Sequence, residues 1–199
     1  MVTAAELARH AYLHVSAAQD VDAGLTAAEV ARVERHGGFR FAAVHRAFLR
    51  LGVPVGPGWP RWRAWDGLEP LLRMPVDGVV RDVHEHGFWL PGWGARPRAA
   101  DEREAVARRR LADVPRLVPV HGVRYLPASP TGVHAPVLSV WRGDVVVLAD
   151  DLLAFVEAEL APGGGPDRWP PRGRSVHVPF WSDLAEGPDS PMWMPRRTP

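Results

Sequence analysis

Cysteine, lysine, asparagine and isoleucine are all absent from this chain of 199 residues. Without cysteine there is no disulfide, no thiol nucleophile, no iron–sulfur cluster and no thiolate zinc site. Without lysine every one of the 24 basic residues is arginine, and the joint bias follows GC-rich codon usage more than selection for arginine chemistry. An excess of charge of one sign is missing too. The arginines meet 23 acids for a formal net charge of +1, so no global field draws the chain to nucleic acid or to an anionic membrane. Long apolar runs are lacking; Val145 to Ala149, among the longest, is far too short to span a bilayer. Met1 to His10 has neither the basic start nor the uninterrupted apolar stretch of a signal peptide. These absences describe a soluble, cytoplasmic protein with no membrane and no direct nucleic-acid partner.

What is present is ordinary for a globular chain. Apolar residues make up 46% and charged residues 24%, which predicts a sizeable core in one domain of usual size. Leu7, Ala8, Ala11 and Val15 recur at helical spacing, predicting an N-terminal helix within residues 1–23. Thr26 and Glu29 form a T-x-x-E capping box, with Leu25 placed to staple onto Val30, and Gly37-Gly38 supplies the stop of that helix. A further helix is expected over Ala42 to Leu51. Pro54, Pro57 and Pro60 make Val53 to Trp65 an irregular, tryptophan-rich loop. Val79 to His84 reads as a strand, Ala100 to Asp113 as a surface helix with acids first and arginines last. Three strand-like pieces are then expected, Leu117 to Val120, Arg124 to Leu126, and Val137 to Val140 continuing toward Val145 to Leu148, before a helix capped by Asp150 and running to Leu160. After residue 160 come nine prolines and five glycines in 39 residues, opening with Gly163-Gly164-Gly165. That is a linker-like tail over 161–199, in which 176–184 is apolar enough to dock back. Helices before and after a block of strands give an α+β class with a mainly antiparallel sheet flanked by helices.

Candidate chemistry is sparse. On a strand, Asp82, His84 and His86 share a face and could converge on a divalent ion with His121 or His134; the alternative is a solvated edge. No G-x-S-x-G elbow surrounds any serine, and Gly163 to Gly165 is followed by proline rather than a helix start, so no cofactor is expected. Arg108-Arg109-Arg110 follows three acids on one helix and reads as an ion-paired face. The tryptophans are less easily set aside. Nine tryptophans stand against two tyrosines, and Trp59, Trp62, Trp65, Trp89 and Trp93 fall in Gly/Pro loops. Part of this set closes the core, and at least one should be exposed, since tryptophan and arginine anchor protein interfaces.

The order of the motifs resembles the SUKH superfamily, the group of Smi/Knr cell-wall regulators and bacterial immunity proteins, and in particular its actinobacterial stand-alone members. The matching pieces run from Gly24-Leu25-Thr26-Ala27-Ala28-Glu29-Val30 through Gly52-Val53-Pro54-Val55-Gly56 and Trp59-Pro60-Arg61-Trp62. They continue with His86-Gly87-Phe88-Trp89, Arg124-Tyr125-Leu126-Pro127 and Asp144 to Asp151, and close with Val178-Pro179-Phe180-Trp181-Ser182-Asp183-Leu184. One departure is Val147, Leu148 and Ala149, where similar proteins carry a tyrosine pair and glycine. The resemblance implies a single α+β domain over 24–160 that works without catalysis by binding other proteins, toxins among them. A metal-dependent enzyme built on Asp82, His84 and His86 is the second reading, and an intracellular regulatory scaffold the third. On the first, the expected protein-binding residues are Glu85, His86, Trp89, Trp93, Arg124, Tyr125 and Asp144, with no catalytic residue and no metal.

Overall fold

The computed structural model describes residues 2–129, 134–161 and 176–193. Helix α1, Ala4–Ser16, begins with a capping box in which the Thr3 hydroxyl accepts the Glu6 amide and the Glu6 carboxylate accepts the Thr3 amide. Helix α2, Ala27–Gly37, repeats that device at Thr26 and Glu29, as its sequence predicts, and ends at Gly38 with φ 63°. Helix α3, Ala43–Leu51, buries Val44, His45, Phe48 and Leu49. Strands β1, Val21–Ala23, and β2, Gly52–Pro54, pair antiparallel with Val21 opposite Pro54 and Ala23 opposite Gly52. This small ribbon was not expected from the sequence, because three residues are too few to show a period.

Helix α4, Trp65–Glu85, replaces the strand expected over Val79 to His84. Pro70 and Pro75 argue against a helix there, since each removes an amide donor from the ladder. The carbonyl that Pro75 leaves without its i+4 donor is that of Leu71, and the Tyr125 hydroxyl donates to it at 3.1 Å. A tertiary hydrogen bond thus takes the place of a helical one. Helix α5, Ala100–Leu111, follows, then β3 Leu117–His121, β4 Arg124–Pro127, β5 Val137–Trp141 and β6 Asp144–Ala149, hydrogen-bonded in that order as an antiparallel sheet. Helix α6, Leu152–Phe155, is capped by Asp151 rather than Asp150: its carboxylate accepts the Ala154 amide at 3.0 Å. A π-helical stretch, Val156–Leu160, continues it. Helix α7 spans Trp181–Glu186. The class is α+β. The glycine run at 163–165 and most of the Pro/Gly-rich stretch lie outside the described residues.

The chain divides into two compact units. The first comprises Met1–Leu72, Arg116–Ser139 and Val147–Val176, and α1 lies against α3 in it. Its core joins Leu7, Val15, Phe41, Phe48, Leu126 and Phe155. Within it, the buried Glu34 carboxylate accepts from Arg40 at 2.7 Å, Arg46 at 2.7 Å and the Phe41 amide at 3.0 Å. Burial pushes the Glu34 pKa up, but these three donors outweigh it and hold the group below the ordinary carboxylate value. The second unit comprises Arg73–Pro115, Val140–Val146 and His177–Pro199. There Val79, Val80 and Val83 of α4, Leu111 of α5 and Trp181 of α7 are buried, and the Trp181 indole donates to the Pro115 carbonyl at 2.7 Å.

Candidate interaction site

The second unit contains a two-residue turn, Arg142-Gly143, between β5 and β6. Arg142 adopts φ 59°, a left-handed conformation that a long side chain takes only where its surroundings enforce it. Three features of α4 do so. The Asp82 carboxylate accepts the Gly143 amide at 2.7 Å. The Arg142 guanidinium donates to Glu85 at 2.7 Å and stands 3.7 Å from Asp82. Gly78 lets the turn approach, because a Cβ there would sit 2.7 Å from the Arg142 Cα. The turn is therefore clamped to the last two turns of α4.

Correcting Val79 to His84 from strand to helix rearranges the Asp82, His84, His86 cluster. Residues four apart share a helical face, so Asp82 meets His86 at 3.0 Å. His84 points elsewhere and meets Glu104 of α5 at 3.1 Å. Glu104 also accepts from Arg108 at 2.7 Å, and these two partners hold its pKa below the ordinary value. Among the described residues no group of three or more His, Asp or Glu side chains is placed to hold a metal ion. His121 and His134 belong to the first unit: His121 packs against Trp59, and His134 meets Asp151 at 3.1 Å.

The loop that leaves α4 carries the expected tryptophans. Phe88 lies against the turn, within 3.8 Å of where a Cβ of Gly143 would be, and its ring meets Trp93 edge-on at 5.7 Å. Trp93 is only 8% exposed and packs perpendicular to Trp89 at 5.3 Å. The half-buried Trp89 donates its indole N–H to the Gly94 carbonyl at 2.8 Å, closing the loop on itself. These indoles shape the loop. Of the seven residues expected to bind a protein, Glu85, His86, Trp89, Trp93 and Asp144 fall in this unit, with Glu85, His86 and Asp144 exposed. Arg124 and Tyr125 fall in the other. Arg124 is held by Glu159 through two contacts, at 3.0 and 3.2 Å. Tyr125 is fully buried, which raises its pKa, and it offers no surface to a partner.

The side chain that sequence reasoning missed is Trp141. It is 59% exposed at the end of β5, next to the clamped turn. Strand alternation gave no signal for it: Val137 shares the face of Trp141 and is buried, so Trp141 is exposed by its place at the strand end. Reading β5 and β6 as one continuing stretch hid the turn at Arg142-Gly143 and with it the exposed indole. Trp141, the Arg142–Glu85 pair and Asp144, whose exposed carboxylate has no ion-pair partner among the described residues, make one aromatic, mixed-charge surface at a fixed turn. No protein-family model matches the chain, and neither the curated proteins nor the solved structures include one similar to it.

Proposed function

We propose that this chain is a non-catalytic protein-binding module of the SUKH type, of the immunity kind that neutralises a toxin, and that Trp141 is its principal anchor. The motif order described above supports the family. The observation that carries the binding reading is the indole of Trp141, 59% exposed on a turn that α4 holds in one conformation. A large aromatic side chain with two rotatable bonds, carried on a backbone already held, loses little conformational entropy on binding, and tryptophan is enriched among interface hot spots. Asp144 and Glu85 beside it suit a partner with a basic face, as a nucleic-acid-processing toxin would have.

Affinity capture with the wild-type chain and with Trp141→Ala tests this. The wild-type chain should retain a partner that the variant loses. With purified components, the truncation should weaken binding by about 30-fold, the equivalent of ~2 kcal/mol, with the melting temperature unchanged. Equal affinity for both proteins would remove Trp141 from the interface, and no partner for either would remove the binding function.

A further inference from the structure

The first unit contains a groove that the Trp141 surface does not use. Two cavities, of about 480 and 180 Å³, share Trp62 and Arg63 and therefore adjoin. The larger is walled by Val53, Pro54, Val55, Trp59 and Pro60, and its size alone falls in the range of about 300–1,000 Å³ that ligand sites occupy. The smaller brings Arg32, His36 and Trp65 together. The shared floor, Trp62, is buried and braced edge-on by Phe41 at 5.3 Å and His45 at 5.5 Å. The loop forming the larger wall is also fixed. The Gly122 amide donates to the Gly58 carbonyl at 2.7 Å, and the His121 ring packs on Trp59 at 4.8 Å. This is a preformed groove in an ordered part of the fold.

Its charge is one-sided. Arg32, Arg61 and Arg63 line it against one acid, Asp22. Arg63 is committed to Glu29 at 2.7 Å. Arg32 and Arg61 are exposed and have no ion-pair or side-chain hydrogen-bond partner among the described residues. The Arg61 guanidinium lies over Gly67, 3.0 Å from where a Cβ would be, instead of on a carboxylate. The indole nitrogen of Trp59, which lines the apolar wall, is likewise without a hydrogen-bond partner. A buried apolar floor with a cationic, solvated rim has the anatomy of a peptide-binding interface. A compact anion would occupy one cavity, whereas a ligand using both must be extended.

We propose that this groove binds an extended acidic peptide segment, its large apolar side chains in the cavity walled by Trp59 and Trp62 and its carboxylates on Arg61 and Arg32. Isothermal titration with a blocked peptide alternating glutamate or aspartate with leucine or phenylalanine tests it, at low salt because rim charges are screened. Saturable binding is expected, weakening at least tenfold in the Arg32→Glu, Arg61→Glu double variant, whose exposed positions leave the melting temperature unchanged. The same peptide with lysine for its acids should bind the double variant more tightly than it binds wild type. Trp141→Ala should leave the acidic peptide's affinity as it was, which separates this groove from the surface proposed above. The proposal fails if no saturable binding occurs at millimolar peptide, or if reversing either charge changes nothing. It also fails if adenosine monophosphate displaces the peptide at lower concentration, since the groove would then be a small-anion site.

Discussion

Gly78 illustrates how a single absent side chain sets a surface. Two effects compete when it becomes alanine. Helix propensity favours alanine by about 1 kcal/mol. Against this, the new Cβ would sit 2.7 Å from the Arg142 Cα, a backbone atom that cannot rotate away. Overpacking of that kind costs roughly 1–3 kcal/mol, so Gly78→Ala should be destabilised in urea by about 1 kcal/mol net. A gain in stability would show that the turn has room to retreat. Nothing in the local sequence marks Gly78 for this part, because the residue it must accommodate is 64 positions away in the chain. Thr26 is the opposite case. Its partner Glu29 is one turn distant, so the box is written in adjacent letters.

At the scale of elements, α4 separates what patterns can and cannot tell. Leu72, Val76, Val79 and Val83 recur at helical spacing, and that periodicity was in the sequence. Pro75 and the β-branched residues pointed the other way. The helix continues because the Tyr125 hydroxyl reaches the Leu71 carbonyl, which lies well outside any local window. Tyr125→Phe removes the hydroxyl and leaves the carbonyl without that donor. We expect a loss of about 0.5–1.5 kcal/mol in denaturant unfolding, the usual net worth of a hydrogen bond that is only partly buried. Unchanged stability would mean that the helix tolerates Pro75 unaided. The strands β3 to β6 were more legible, since runs such as Leu117 to Val120 and Val145 to Leu148 are apolar and β-branched.

At the scale of the whole molecule, stability should depend on pH through buried histidine. His45 is 1% exposed in the first unit, with Phe41 and Trp62 edge-on to its ring and its Nδ1 without a hydrogen-bond partner among the described residues. Burial pushes its pKa from 6.5 down to about 3. The folded chain therefore keeps His45 neutral while the unfolded chain binds a proton below about pH 6.5. Stability is fully present above that pH and is lost as pH falls toward 3, by up to ~1.4 kcal/mol per pH unit. His121, its pKa also lowered by burial against the opposing hydrogen bond to Pro57, acts in the same direction. Urea midpoints at pH 7.5, 6 and 5 should fall steadily for the wild-type chain and less steeply for His45→Leu. Parallel slopes would assign the acid sensitivity to other groups.

The sequence by itself determined the α+β class, the capped start of α2 and the stretches that form the strands of the larger sheet, because hydrophobic period, caps and turn residues act within a few positions. It also determined that none of the chemistry can rest on a thiol or a lysine amine. No helix among the described residues is long and apolar enough to cross a membrane, in keeping with the short apolar runs. Only the tertiary structure decided that Asp82 and His84 part company, that Tyr125 and Trp93 are buried, and that Trp141 is exposed. Each of those outcomes depends on which distant backbone a side chain meets: Gly143 for Asp82, Leu71 for Tyr125, Phe88 for Trp93. An aromatic residue has the same letter in a core and on an interface. What distinguishes the two is the packing around it, which forms only when the chain has folded.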